Sequence, residues 1–325
     1  MSPPQPILGR RNFLGAALAA PVAWDVLTPD DQPGAVLRFH DDTVTTFRTD
    51  FRQPMRLQRG HPGRLPARPL NDPGFTWISG YVHASPSPGA PAYIPPGRPA
   101  PSFSWLSSEL AVYPNADAIT ASGYSPFSYV NGQLCITAAP TPNAVRRLIP
   151  NGFSTAYVSG ALSSYPYSQT YGIFEITARI PAGRGLWPAF WLLPADLSWP
   201  PENDVMEVLG HDTSTVYTTL HSKRFDKGTM HGHVTATVDL AAAMHRYTVD
   251  WGPQRVRYYL DRRLIFSQPT PADWHQAFYL LTNLAVGGPH SWPGAPDAST
   301  GFPARLYIAG IQAWQRRDYG GGLGN

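Results

Sequence analysis

Short segments in which apolar and polar residues alternate with a period of two recur along this chain between glycine- and proline-rich turns, and this excludes most folds. Phe174 to Ile180 sets Phe, Ile, Ala and Ile against Glu, Thr and Arg, and Arg255 to Asp261 sets Val, Tyr and Leu against Arg, Arg, Tyr and Asp. Each such segment has one face suited to a core, which predicts antiparallel sheets packed face to face. The 36 prolines fall in the connections, at about twice average usage. No long segment of helical period supports an α/β reading. The 325 residues fit one large all-β domain rather than two small ones.

The densest chemistry lies between Pro201 and Gly210, which reads Pro-Glu-Asn-Asp-Val-Met-Glu-Val-Leu-Gly and places Glu202, Asp204 and Glu207 in an otherwise apolar stretch. On a helix, Glu202 and Glu207 would point roughly 140° apart and could not address one bond. On a regular strand Glu202 and Asp204 share a face, and Glu207 faces away. One extra residue between Asp204 and Glu207, a β-bulge, returns all three to one face. The glutamates then stand about four strand steps apart, roughly 13 Å between Cα atoms. Side chains leaning inward bring the carboxyl groups to roughly 5–6 Å, the spacing of glycosidases that work through a covalent intermediate rather than through direct attack of water.

Acidic residues alternating on a strand usually form its solvated face, so context decides. The segment Tyr171-Gly-Ile-Phe-Glu-Ile-Thr-Ala-Arg-Ile-Pro-Ala-Gly-Arg-Gly-Leu-Trp-Pro-Ala-Phe-Trp-Leu-Leu-Pro194, joined to the acidic cluster through Trp199-Pro200, resembles glycoside hydrolase family 16 in order and spacing. Ser108 to Tyr113, Pro126-Phe127 and Val130 to Ala138 resemble that family's first half. His245 to Trp251, Tyr258 to Asp261, Tyr279 to Gly288 and Leu306 to Trp314 resemble its second. The resemblance runs over roughly residues 36 to 316. It implies an antiparallel two-sheet β-jelly-roll sandwich, concanavalin A-like, with a long cleft. The longer E-x-D-x-x-E form is typical of laminarinase-like and other polysaccharide-degrading branches.

By that resemblance Glu202 is the nucleophile, Glu207 the general acid/base and Asp204 the carboxylate that assists the nucleophile. Such chemistry needs one carboxylate ionised and the other acid protonated; charges at Glu202 and Asp204 disfavour ionisation of Glu207. Asn203 departs from the family, which usually carries Ile or Leu there. Its side chain points away from the acidic face, and a buried amide needs partners.

Ten Trp, 16 Tyr and 14 Phe suit a sugar-processing domain, since flat rings stack on pyranoses. Trp187, Trp191 and Trp199 are substrate-binding candidates, with Trp187 and Trp199 favoured for the cleft and at least one tryptophan expected in the core. His221 and Asn283 are added as family-like cleft positions. His231 and His233 have a spacing that could ligate a metal, but without a Cys or acidic partner they read as solvated loop histidines. The implied reaction requires no cofactor. Some relatives hold a structural calcium away from the cleft, for which the sequence assigns no ligands.

The resemblance implies a secreted retaining endo-β-glycanase acting on β-1,3/1,4-glucan or a bacterial exopolysaccharide. A transglycosylase, or a non-catalytic carbohydrate-binding protein on the same fold, are the alternatives, the second disfavoured by the presence of both glutamates. Gly9-Arg-Arg-Asn-Phe-Leu-Gly15 followed by Ala16-Ala-Leu-Ala-Ala20 resembles a twin-arginine export signal. This divides the chain into a signal peptide at 1–23, a linker at 24–35, a catalytic domain at 36–316 and a disordered tail at 317–325, and predicts a periplasmic or extracellular monomer. A formal charge of +3 with scattered arginines gives no nucleic-acid footprint. After signal removal nothing reads as a membrane span, and Cys135, the single cysteine, reads as a small buried apolar residue. The partner expected is a polysaccharide.

Overall fold

The computed structural model describes residues 29–39, 41–60, 63, 65–82, 101–105, 109–149, 156–225, 231–236 and 238–319. The expected signal peptide lies outside the described residues, as do 83–100 of the proline-rich region. Two sheets carry the chain, one of eleven strands and one of seven. Among the described strands every pair is antiparallel except Ala111–Pro114 with Tyr157–Val158. Among the described residues helix is confined to the short segments Ala116–Ser122 and Asn143–Arg146 and to 3-10 turns.

The seven-stranded sheet runs, in spatial order, His231–Ala236, Asp212–His221, Glu202–Leu209, Leu186–Pro194, Phe278–Val286, Ala161–Ser163 and Ile78–Ser79. The larger sheet backs it, with Arg255–Leu260, His245–Trp251, Gly172–Arg179 and Ala304–Arg316 as consecutive neighbours. The alternation read from sequence fixes which side chains meet between them. Phe174, Ile176 and Ala178, with Val256 and Tyr258, face Phe190, Leu192, Met206, Leu220, Leu280 and Leu284 in one continuous core. Burying such side chains stabilises the fold by roughly 1.5–3 kcal/mol each relative to leaving them exposed.

The described part of the proline-rich region contributes to this core. Trp77 and Ile78 are buried, and Phe47, Phe75 and Trp77 pack edge to face. Cys135 is buried. Two expected boundaries shift. Residues 29–35, expected in a linker, include a 3-10 turn at Pro29–Asp31 whose buried Asp31 pairs with Arg255 and Arg257. A buried carboxylate persists only when paired, so the segment is docked. At the other end Arg317–Tyr319, expected in the tail, form a 3-10 turn whose Tyr319 hydroxyl donates to Asp250 at 2.7 Å; residues 320–325 lie outside the described residues.

Candidate active site

The strand Glu202–Leu209 carries the predicted bulge. Against the strand Leu186–Pro194 its register passes from Trp191↔Asp204 to Phe190↔Met206, two steps on one strand against one on the other. Against Asp212–His221 it passes from Thr219↔Asp204 to Tyr217↔Glu207, three steps against two. One extra residue is thereby absorbed between Asp204 and Glu207. Residues paired across an antiparallel ladder share a face. Glu202, Asp204 and Glu207 therefore stand on one face with Ala189, Trp191, Tyr217, Thr219 and His221. All three carboxylates are recessed, at 1%, 1% and 4% exposure.

Each glutamate accepts an indole N–H. Trp199 Nε1 donates to Glu202 Oε2 at 2.6 Å, and Trp187 Nε1 donates to Glu207 Oε1 at 3.1 Å. Trp187 is 1% exposed, so it offers this group its N–H edge rather than an open ring face. Trp191, also buried, donates to Asn283 Oδ1 at 2.9 Å and sets its ring edge to face with Tyr81. Asn283 pairs with Ala189, so Trp191 and Asn283 stand on the carboxylate face as a bonded, recessed pair. Trp199 is the partly exposed one of the three tryptophans.

His221 pairs with Glu202 across the ladder, and its Nε2 lies 2.9 Å from Asp204 Oδ2. Burial pulls the imidazole pKa down, but the charges of Glu202, Asp204 and Glu207 and the bond to Asp204 outweigh it and raise it to about 9. Asp204 is pushed up by burial and by the two glutamates, against the opposing pull of His221. The pair therefore holds its proton through neutral pH. Asp204 Oδ1 is buried without a hydrogen-bond partner among the described residues.

Glu202, Asp204 and His221 are, among the described residues, the side-chain cluster with metal-ligating geometry, their ligand atoms within 4.8 Å of one another. That cluster lies inside the carboxylate site. His231 and His233, expected in a loop, belong to the strand His231–Ala236, paired with Leu220 and Thr218; their side chains lie outside the described residues.

Residues that sequence reasoning passed over complete the site. Trp292 sets its ring edge to face with Trp187, centroids 5.6 Å apart, and with Tyr217 at 4.5 Å. Its loop is drawn in at Gly287, where a Cβ would lie 2.5 Å from Pro293 Cγ. Counting back by two from His221 would have found Tyr217; nothing in the local pattern marks Trp292 beyond its place in a Pro/Gly turn. Asn203, the departure from the expected aliphatic residue, is fully buried on the opposite face. The Tyr258 hydroxyl of the backing sheet donates to its Oδ1 at 2.8 Å, and its Nδ2 is unpartnered among the described residues. Such an orphaned donor costs about 1–3 kcal/mol.

A β-sandwich whose bulged strand turns two glutamates and an aspartate to one aromatic-lined face has the makings of a carbohydrate-processing centre, and comparison with known proteins places it. Residues 119–305 match the profile of glycosyl hydrolases family 16, and the chain belongs to that family. It is 43% identical over 196 residues to endo-1,3-1,4-beta-glycanase ExsH of Rhizobium meliloti (strain 1021), covering 59% of this chain and 41% of that one. To endo-1,3-1,4-beta-glycanase EglC of the same organism it is 40% identical over 183 residues, covering 56% and 38%. The chain thus spans about two fifths of the length of these two curated relatives. Among solved structures, the catalytic domain of an endo-1,3-beta-glucanase (laminarinase) from Thermotoga petrophila RKU-1 aligns with a TM-score of 0.63 at 26% identity, covering 85% of this chain and 99% of that one.

Proposed function

We propose that this chain is a retaining endo-β-glucanase that hydrolyses β-1,3/1,4-glucan or a related bacterial exopolysaccharide. The observation that carries this reading is the bulge, which sets Glu202, Asp204 and Glu207 on one face with a separate N–H donor on each glutamate. The Rhizobium relatives, by their names, act on 1,3-1,4-β-linked glycans, which supports the substrate class.

In the first step Glu202 attacks the anomeric carbon while Glu207 gives its proton to the departing glycosidic oxygen, leaving a glycosyl ester on Glu202. In the second, Glu207 removes a proton from water, the hydroxide oxygen adds to the anomeric carbon, and Glu202 leaves as a carboxylate. Two inversions give net retention. The Trp199 N–H bond favours the charged form of Glu202. The Asp204–His221 pair supplies a proton close to the nucleophile.

Export by the twin-arginine route and action as a monomer on extracellular or periplasmic polysaccharide complete the proposal, resting on the Arg10-Arg11 segment and the relatives' glycan chemistry. The test is reducing-sugar release from laminarin, lichenan, agarose, carrageenan and a succinoglycan-like polymer, with proton NMR of the first product. Cleavage of a β-glucan with a β-configured new reducing end is expected; an α anomer contradicts double displacement. Accumulation of products longer than the substrate would assign the same intermediate to transglycosylation.

A further inference from the structure

We propose that Asn203 and Tyr258 are positioning residues that fix the nucleophile-bearing half of the bulged strand against the backing sheet. The proposal rests on the assignment of Glu202 as nucleophile.

The bulge that brings the carboxylates together also weakens the hold on them. Ladder pairing is displaced on both sides of the strand between Asp204 and Glu207, and a bulge leaves its extra residue unpaired. Glu202 and Asp204 are thereby separated from Glu207 at the point where their relative placement matters most. Asn203 stands between Glu202 and Asp204 in sequence and on the opposite face, so a restraint on its side chain acts directly on the backbone of both.

That restraint comes from the other sheet. Tyr258 belongs to the strand Arg255–Leu260, and its hydroxyl reaches Asn203 Oδ1 at 2.8 Å across the interior. Tyr258 is fully buried and its ring stacks on Phe266 of the neighbouring strand, centroids 5.9 Å apart, which aims the hydroxyl. The surroundings are apolar, with Leu192, Met206, Val208 and Leu220 in the same core. Apolar packing is non-directional, whereas a hydrogen bond in low dielectric fixes distance and angle.

Stability alone does not explain the pair. Asn203 Nδ2 is buried and unpartnered among the described residues, so an apolar pair, leucine at 203 with phenylalanine at 258, would remove an unsatisfied donor from the core without stranding the Tyr258 hydroxyl. A residue that works against stability beside two reactive carboxylates fits the exchange of stability for function at such sites.

The test uses Asn203→Leu, Tyr258→Phe, the double variant and Glu202→Gln in the full chain, assayed on whichever of laminarin and lichenan is cleaved faster. The double variant, which removes the bond and the unpartnered amide together, should melt at or above the wild-type temperature, while Asn203→Leu, which strands the Tyr258 hydroxyl, should have kcat down roughly tenfold or more, as displacement of reacting groups by a fraction of an ångström predicts, and KM within about twofold. Tyr258→Phe should lose kcat to a similar degree, and the double variant should be no worse than either single one, because both remove the same bond. Wild-type kcat in Tyr258→Phe overturns the proposal even if Asn203→Leu misfolds, and so do losses that multiply in the double variant. Turnover by Glu202→Gln removes the nucleophile assignment on which the proposal stands. An inert Glu202→Gln beside fully active Asn203→Leu and Tyr258→Phe removes the positioning role alone.

Discussion

The two ends of the bulged strand differ in kind. Around Glu202 the surroundings are polar and charged: an indole N–H at 2.6 Å, Asp204 and His221 with ligand atoms within 4.8 Å, and an imidazole whose pKa is raised to about 9. Around Glu207 they are aromatic: Trp187 and Leu209 pack with Ala285, and Tyr217 and Trp292 close over them. Each glutamate accepts an indole N–H, so the difference lies in the rest: a neighbouring cation favours a charged carboxylate, whereas an apolar wall favours a neutral acid. In the proposed mechanism the same side chain thus takes two roles according to which end of one strand it occupies.

Substitutions at the two ends separate these roles. The largest effect is expected from Glu202→Gln, with kcat/KM down by more than about a thousandfold as for a lost nucleophile. Glu207→Gln should cost about 10²- to 10⁴-fold as for a lost general acid, and much less on an aryl glycoside whose leaving group needs no proton. Equal losses on both substrates would contradict the division.

At the polar end, His221→Asn should lower kcat about tenfold, in line with loss of a charge-assisted bond, and change the alkaline limb of the pH–rate profile. The wild-type limb should fall near pH 9, where His221 loses its proton. Stability carries the same sign. A histidine raised from its ordinary 6.5 to about 9 stabilises the fold fully below pH 6.5 and loses that contribution as pH rises through 9. Wild-type stability should therefore drop by up to about 3 kcal/mol across that window, while His221→Asn stays flatter. Parallel curves from chemical denaturation would remove the charged pair from the account.

The smallest effect is expected at the aromatic end. Trp187→Phe keeps the ring and deletes the N–H that Glu207 accepts, which should lower kcat by roughly three- to tenfold with little change in KM. A large rise in KM instead would make Trp187 a sugar platform rather than a support for the acid.

What could be read from the sequence divides along physical lines. The bulge was legible because the odd spacing of Glu207 leaves no other way to place it with Glu202 on a strand. The core faces of Gly172–Arg179 and Arg255–Leu260 were legible because period-two alternation is a local property. The roles of Trp187 and Trp191 were not, since whether an indole shows its face to solvent or its N–H to a neighbour depends on burial set by distant strands. Nor was the Asn203–Tyr258 bond, which joins residues 55 apart in sequence and requires the register of one sheet over the other. The docking of 29–35 through Asp31 was equally hidden, because its partners Arg255 and Arg257 lie more than two hundred residues downstream.

The most direct measurement is to trap the intermediate with an activated 2-deoxy-2-fluoro-β-glucanosyl substrate and to map the label by peptide mass spectrometry. The account predicts one glycosyl unit esterified to Glu202. Label on Glu207, or burst-free hydrolysis with no protein adduct at any time, would contradict it.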